Sequence, residues 1–250
     1  MKQFLNNFLL FIQFFTRIPI NKNLQCEKEN FRKGAIFFPI IGLIIGGIQF
    51  IFAKLLFDYL SFNVLAVLVI MIPVIVTGAL HLDGLGDLCD GFYAFKGGKD
   101  KIIEIMKDST IGTFACAAII FDILLRYTTM ENLLQYRNLC FIIVVPVISR
   151  FTIVLIAYLG KNAKENGTGN IFIGNINLPI LLTSLIITVV ISSLLLNIIV
   201  AISLILISAL VTFVFNKYCE YKIGGLTGDL LGANNEIIEI FVLIIGVAVL

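Results

Sequence analysis

Long apolar stretches alternate with short polar ones along most of the chain. An α-helix needs roughly 20 apolar residues to cross a bilayer. The run from Leu178 to Phe215 is too long for one helix, so we divide it near Asn197, where polarity rises. The pattern predicts seven spans, the last of them short, near residues 36–57, 64–80, 111–128, 138–159, 178–195, 198–215 and 235–250.

Two other stretches predict helices that lie at the membrane surface. Residues 3–15 are apolar but too few to span, which favours an interfacial or re-entrant helix. In residues 101–109 the apolar side chains fall on one helical face, and the charged ones, among them Glu104, Lys107 and Asp108, fall on the other. The fold class predicted is therefore all-α, a polytopic membrane protein with about seven transmembrane helices plus interfacial helices.

The composition supports this prediction. Hydrophobic residues make up 59% of the chain and charged residues 14%, against about 25% charged residues in soluble domains, and the mean hydropathy is +1.04. Such a chain cannot cover a globule with polar surface, so a bilayer must solvate most of it. No polar stretch is long enough to build a second core, and we predict one membrane domain over residues 1–250.

The basic residues predict an orientation. With seven spans, the N-terminal segment and the polar loops 81–110, 161–177 and 216–236 lie on one side of the membrane. The positive-inside rule makes that side cytoplasmic, in a multi-pass protein of the cell (inner) membrane. The other side has only Lys54, Arg126 and Arg137, whereas this side has 14 basic residues: Lys2, Arg17, Lys22, Lys28, Arg32, Lys33, Lys96, Lys99, Lys101, Lys107, Lys161, Lys164, Lys217 and Lys222.

Charge and cysteine content add little. The net charge is +2, and no basic tract of the kind that binds nucleic acid is present, so we do not expect nucleic acid as a partner. The five cysteines are scattered without a CxxC pair, which favours small buried thiols. The N-terminus lacks the order of regions found in a signal peptide.

The segment from His81 to Gly91 is the strongest candidate for chemistry. In a helix, Asp83, Asp87 and Asp90 would share one face. Like charges at this spacing destabilise a helix, so we expect a cation there, and Mg²⁺ binds through one or two carboxylates together with substrate phosphates. The alternative is a solvated acidic loop. His81, the single histidine, is either structural or a candidate base or substrate contact.

Two further polar segments are candidates for substrate binding. Lys107 can meet a phosphate while Glu104 or Asp108 adds a metal or hydroxyl contact. Residues 224–236 contain four glycines, Thr227 and Asp229, and their backbone amides can cradle an anion, although the segment is not a Walker P-loop. We also count Asn234, in the same segment, among the predicted substrate-binding residues.

Two charges fall deep inside predicted spans, where charges are costly. Arg150 and Asp122 have similar depths from the cytoplasmic side, about 15 and 16 Å at 1.5 Å rise per residue. We hypothesise that they pair, or that both line a polar cavity above the aspartates. The alternative is a local pair between Asp122 and Arg126, one helical turn apart.

At these segments the chain resembles the adenosylcobinamide-GDP ribazoletransferases, also called cobalamin synthases. The resemblance covers nearly the whole chain and departs from the family pattern at Lys164 and Thr168, where lysine replaces an arginine and its bidentate fork. The matching stretches, in family order, are Phe15–Pro19, His81–Gly91, Glu104–Ser109 with Ile111-Gly112, Ser149-Arg150, Gly169–Gly174 and Gly224–Asp229.

The resemblance implies a reaction. Adenosylcobinamide-GDP and α-ribazole, or its 5′-phosphate, give adenosylcobalamin or its 5′-phosphate and GMP, with Mg²⁺, in the final steps of cobalamin biosynthesis. Asp83, Asp87 and Asp90 would hold Mg²⁺, Asp229 would complete the metal shell or bind ribose, and one aspartate or His81 would take the hydroxyl proton. The substrate-binding residues would be Arg17, Glu104, Lys107, Asp108, Arg150, Thr227, Asp229 and Asn234. The sequence does not determine the oligomeric state, and a homo-oligomer is one of the possibilities.

Two alternatives compete with this interpretation. The stretch from Asp87 to Gly91 matches the start of the CDP-alcohol phosphotransferase motif, but the Ala-Arg pair and two later aspartates of that motif are missing. A transporter would use mid-membrane charges such as Arg150 and Asp122, yet the paired halves common in transporters are not found.

Overall fold

The computed structural model describes residues 2–94, 97–165 and 167–249, and within these ranges the chain is helical with no β-sheet. Two short 3₁₀ turns, Ala35–Phe37 and Thr168–Ile171, accompany the α-helices. The α-helices are α1 (Lys2–Phe15), α2 (Lys28–Gly34), α3 (Phe38–Leu56), α4 (Phe62–Thr77), α5 (Leu80–Tyr93), α6 (Lys99–Ile105), α7 (Thr113–Gln135), α8 (Cys140–Leu159), α9 (Leu178–Leu195), α10 (Ile198–Ile223) and α11 (Gly228–Ala248).

The described part of the chain has six helices long and apolar enough to cross a membrane: α3 together with α2, then α7, α8, α9, α10 and α11. Helices α4 and α5 pass the same test as a pair that bends by 90°, which brings the number of crossings to seven. The predicted fold class is confirmed. Because α5 turns away from the axis of α4, we take α4 as the seventh crossing and α5 as lying across the end of the bundle.

The bend between α4 and α5 has a local cause. Gly78 and Ala79 both adopt positive φ angles, 67° and 62°, a conformation that ends a helix and is uncommon for a residue with a side chain. The Arg17 side chain crosses this point, since a Cβ on Gly78 would lie 2.8 Å from a guanidinium nitrogen. The backbone N–H of Arg17 also donates to the Val76 carbonyl, at 2.6 Å. The N-terminal segment therefore braces the turn into α5.

Helix α8 is the most buried of the spanning helices, and α3 packs closely along it. The two backbones approach at Gly42 and Gly46, where small residues permit close packing of membrane helices. A Cβ on Gly42 would lie 2.6 Å from the Pro146 carbonyl carbon, and one on Gly46 would lie 2.7 Å from the Ile143 Cα.

Several predicted boundaries are wrong. The segment 216–236 is not a loop, because α10 continues to Ile223 and α11 begins at Gly228, so the last span has 21 residues instead of being short. The polar residues of the first turns of α11 are buried between helices, which a hydropathy pattern cannot distinguish from a solvated loop. The segment 81–110 contains α5 and α6, whereas 161–177 is mostly loop, as predicted.

The charge count needs one correction. Arg126 lies inside α7, which extends to Gln135, and not on the far side of the membrane. This correction strengthens the predicted asymmetry of basic residues. Lys96 lies outside the described residues. The predicted surface helix at 3–15 is present as α1, and the one at 101–109 is present as α6, which ends before Lys107.

We predict that Gly42→Ala lowers stability by about 1 to 3 kcal/mol, since the added methyl overpacks a backbone contact with no room to relax. The matched control is Gly47→Ala on the same helix, where an added Cβ meets nothing within 4 Å. That change should be neutral or stabilising by up to about 1 kcal/mol through helix propensity. The apparent melting temperature of the protein in detergent measures both. Equal effects of the two substitutions would contradict the packing argument.

Candidate active site

Helix α5 presents its aspartates to one cavity, as the spacing predicts. Asp83, Asp87 and Asp90 line a space of about 300 Å³ together with Lys107 and Asp108, which follow α6. We call this space the aspartate cavity. Asp83 is exposed, Asp87 is half-buried and Asp90 is buried, so the three carboxylates meet different surroundings.

The start of α11 lies directly against α5. A Cβ on Gly84 would lie 3.1 Å from the Asp229 carbonyl carbon, so the two backbones touch at this point. Thr227 caps α11 by accepting the Leu230 N–H at 3.4 Å, and its hydroxyl donates to one Asp229 carboxylate oxygen at 3.1 Å. Glycine at position 84 therefore permits a fourth carboxylate, Asp229, to approach the three of α5.

Asp90 has a structural partner. Its two carboxylate oxygens accept the backbone N–H groups of Gly112, at 2.6 Å, and Ala115, at 2.9 Å, at the N-terminus of α7. A carboxylate at a helix N-terminus satisfies otherwise unpaired donors and complements the helix dipole. Both oxygens of Asp90 are thus engaged, which argues against the metal-ligand role predicted for it.

Asp87 lies in an excess of negative charge. Burial, together with the carboxylates of Asp83, Asp229 and Asp90, raises the pKa of Asp87 to about 7, and the nearby Lys164 offsets only part of this rise. Within the described ranges, no three side chains of His, Cys, Asp or Glu are arranged to hold a metal ion. The carboxylates therefore share a region of negative potential without forming a closed coordination shell.

A second cavity continues from the first on the side of α6. This lysine cleft, of about 580 Å³, is lined by three lysines, Lys99, Lys107 and Lys164, and by three acidic residues, Asp100, Glu104 and Asp108. Lys107 and Asp108 line both spaces, so the cleft leads into the aspartate cavity.

Two of the three acidic residues of the lysine cleft already have partners. Glu104 pairs with Lys101 at 2.9 Å. Asp108 accepts hydrogen bonds from the backbone and the hydroxyl of Thr110, which lower its pKa. The lysines, and Lys107 above all, are therefore the groups best suited to bind an anion here.

A third cavity shares Asp83 with the aspartate cavity. We call it the aromatic cavity: it has a volume of about 230 Å³, and Asp83 lines it as well as the aspartate cavity. Its apolar walls include Phe14, Phe15, Phe38 and Phe172, and its polar residues include His81, Thr168 and Asp229.

Five charged side chains are buried between α7, α8 and α11, and we call them the buried charge network. Arg126 donates to Asp122 at 2.8 Å, to Glu236 at 2.5 Å and to Glu239. Arg150 also donates to Glu239. Its other terminal nitrogen lies 3.5 Å from Nδ1 of His81 on α5. His81 is buried, and this burial together with Arg150 lowers its pKa well below the usual value.

The network decides between the hypotheses for Asp122 and Arg150. The pair between Asp122 and Arg150 is wrong, because Asp122 bonds Arg126 on its own helix, as the alternative has it. Asp122 and Arg150 do line one space of about 260 Å³ with the other three charged residues, but the predicted polar character is wrong, because most of its walls are apolar, chiefly residues of α4. Glu236 and Glu239 were not predicted as functional, although two acids three residues apart in an apolar helix are a signal of buried partners.

The comparisons with known proteins agree with this geometry. The family model described as cobalamin-5-phosphate synthase matches residues 7–247. The chain belongs to this family. No solved structure matched the chain.

Relatives of this family member carry the name adenosylcobinamide-GDP ribazoletransferase. One from Clostridium kluyveri is 53% identical over 246 residues, covering 98% of this chain and 97% of the relative. One from Clostridium tetani is 47% identical over 248 residues, with 99% and 98% covered, and one from Clostridium botulinum is 46% identical over 245 residues, with 98% of each covered. The match favours this family over the CDP-alcohol phosphotransferases and the transporters.

Most of the predicted site residues of this cobalamin-5-phosphate synthase family member lie at the three connected cavities, but four do not. Arg17 braces the bend after α4, and Arg150 belongs to the buried charge network. Thr227 caps α11, and the fully buried Asn234 donates to the Thr152 hydroxyl on α8 at 3.0 Å. Their place in the structure is accounted for by packing and hydrogen bonding between elements, which the sequence alone does not reveal.

We predict that two aspartates three residues apart respond differently to the same change. Asp90→Asn places an amide N–H₂ against backbone donors at the N-terminus of α7 and should cost about 0.5 to 2 kcal/mol, as for a lost cap. Asp87→Asn removes a charge that the folded state disfavours at neutral pH, so its stability should be unchanged or higher. Thermal unfolding in detergent measures both, and a larger loss at Asp87 than at Asp90 would refute the capping role.

We also predict that Arg126→Met destabilises the protein by about 3 to 5 kcal/mol, because it leaves buried carboxylates uncompensated. Adding Asp122→Asn and Glu236→Gln to this variant removes two of those charges and should recover part of the loss. The apparent melting temperatures of the single and triple variants provide the comparison. A single variant as stable as the wild type would show that the network is dispensable.

Proposed function

We propose that this chain joins adenosylcobinamide-GDP to α-ribazole, or to its 5′-phosphate, and releases GMP. The observation that carries the proposal is the continuity of the lysine cleft with the aspartate cavity through Lys107, in a chain whose relatives are named for this transfer. An anionic diphosphate has cations along the cleft and carboxylates capable of holding a divalent ion at its inner end.

The chemistry is a phosphoryl-type substitution. A ribose hydroxyl of the ribazole attacks the phosphorus attached to cobinamide, the bond from that phosphorus to GMP breaks, and the hydroxyl proton is released to a base. Transfers of this kind depend mainly on positioning and on stabilising charge. The lysines would balance the negative charge that builds up on the leaving GMP.

Lys107 is the residue best placed for the diphosphate. It is exposed, it lines both the cleft and the aspartate cavity, and no ion pair with it occurs among the described residues. Lys99 and Lys164 lie further along the cleft. The GDP half of the substrate would lie along these lysines, with the cobinamide half beyond the opening of the site.

We further propose that Mg²⁺ acts at the aspartate cavity, held by Asp83 and Asp87. Two carboxylates suffice, because Mg²⁺ keeps several waters and takes its remaining oxygens from substrate phosphates. The crowding of Asp87 by other carboxylates fits a bound cation, whereas Asp90 is occupied at α7. When bound, Mg²⁺ would supply neutralisation of the diphosphate.

The location of the reaction follows from the distribution of basic residues. The three connected cavities lie at the end of the bundle that carries the predicted excess of lysine and arginine. We propose that this end faces the cytoplasm, in the cell (inner) membrane.

The test is release of GMP from purified protein in detergent, given adenosylcobinamide-GDP, α-ribazole and Mg²⁺. Lys107→Ala should raise KM for adenosylcobinamide-GDP about 10- to 150-fold, as expected for a charged hydrogen bond worth about 1.5 to 3 kcal/mol. Asp87→Asn should abolish turnover, and a chelator should do the same to the wild type.

The matched control is Lys54→Ala. Lys54 is an exposed lysine in the last turn of α3, and it lines neither the lysine cleft nor the aspartate cavity. It should behave as the wild type does. Absence of GMP release from the wild type, or full activity in Lys107→Ala, would contradict the proposal.

A further inference from the structure

The aromatic cavity differs in chemistry from the other two spaces of the site. Phenylalanines from α1, α3 and the loop before α9 form its walls, namely Phe14, Phe15, Phe38 and Phe172. No lysine or arginine lines it among the described residues. A diphosphate would find carboxylates but no cation here, so the cavity is unsuited to the anionic half of the corrinoid substrate.

The size of the cavity suits part of a ligand. Its volume of about 230 Å³ is smaller than the roughly 300 to 1,000 Å³ of pockets that enclose a whole small molecule. Flat aromatic walls favour a flat aromatic ring, since stacking of a base on aromatic side chains contributes about 1 to 3 kcal/mol. The polar residues Asp83, Thr168 and Asp229 leave the attached sugar a hydrogen-bonding partner.

We infer that the aromatic cavity binds the heterocyclic base of the ribazole substrate and presents its ribose hydroxyl to Asp229. The inference rests on the proposed function and assigns a binding site to its second substrate, the ribazole. Asp83 and Asp229 both line this cavity, and Asp83 also lines the aspartate cavity. A ribose hydroxyl held here would therefore lie next to the space where the diphosphate phosphorus would be held.

Asp229 is the group that takes the proton. One of its carboxylate oxygens accepts the Thr227 hydroxyl at 3.1 Å, which orients the carboxylate and leaves the other oxygen for the substrate. As the ribose oxygen bonds to phosphorus, the phosphorus–oxygen bond to GMP breaks and the hydroxyl proton passes to Asp229. His81 also lines the cavity, but Arg150 lies 3.5 Å from its Nδ1 and disfavours an imidazolium.

The first test uses a residue at the rim. Phe14 is 47% exposed, so Phe14→Ala should fold, and it should raise KM for α-ribazole about 5- to 150-fold, which is 1 to 3 kcal/mol converted to an equilibrium constant. KM for adenosylcobinamide-GDP should stay within about twofold, the opposite of the pattern expected for Lys107→Ala.

The matched control is Phe4→Ala on the same helix. Phe4 is 61% exposed and packs edge-on against Phe37, away from the cavity. Binding of α-ribazole alone, measured by calorimetry on the detergent-solubilised protein, gives a readout that does not require turnover. It should weaken in Phe14→Ala and stay unchanged in Phe4→Ala.

The outcomes separate the two claims. GMP release by the wild type with unchanged KM for α-ribazole in Phe14→Ala would overturn the inference and leave the proposed function standing. No GMP release, but binding of α-ribazole that Phe14→Ala weakens, would overturn the proposed reaction and support the cavity as the base site.

The second test addresses the proton. Asp229→Asn keeps an acceptor for Thr227 but loses basicity, so kcat should fall about 10²- to 10⁴-fold, the usual contribution of a general base, with KM for α-ribazole changed little. A variant that retains turnover within about tenfold of the wild type would overturn the role of Asp229.

Discussion

The buried charge network is the constraint on which the arrangement of the site depends. Charged side chains inside a membrane bundle are costly unless each finds a partner. Arg126 meets this requirement only if α7 and α11 keep their relative position, and Arg150 ties α8 to the same Glu239. Since α11 is held in this way, its N-terminus delivers Asp229 to α5.

Close backbone contacts convert that framework into a site. Helix α5 crosses the start of α11 at Gly84, and α3 meets α8 at Gly42. A side chain at either position would push the two helices apart, and at position 84 it would move Asp229 away from the aspartates of α5. The same packing produces two unlike spaces that share Asp83: the aspartate cavity, which continues into the lysine cleft through Lys107, and the aromatic cavity with its phenylalanines. Under the proposed function, the anionic diphosphate and the heterocyclic base would therefore approach Asp83 from different cavities.

Local periodicity explains what the sequence predicts well. The number of spans follows from the length of apolar runs, and the shared face of Asp83, Asp87 and Asp90 follows from helical spacing. Local patterns cannot identify partners that are distant in sequence. Arg126 and Glu239 are separated by 113 residues, and Asp90 accepts from Ala115, which lies 25 residues further along the chain. The start of α11 could not be predicted for the same reason. Its first turns are polar, and their burial by other helices is not visible in the local sequence pattern.

The capping contact of Asp90 explains how so many carboxylates coexist on one helix. Its charge is neutralised in part by the backbone donors and the dipole at the start of α7. Among the three aspartates of α5, Asp90 is therefore the compensated one, and it fixes α7 against α5. Asp87, in contrast, has no such partner among the residues that the structure describes, and a cation would relieve the repulsion from its neighbouring carboxylates. The three aspartates share one helical face, but the surroundings that the rest of the fold provides differ from one to the next.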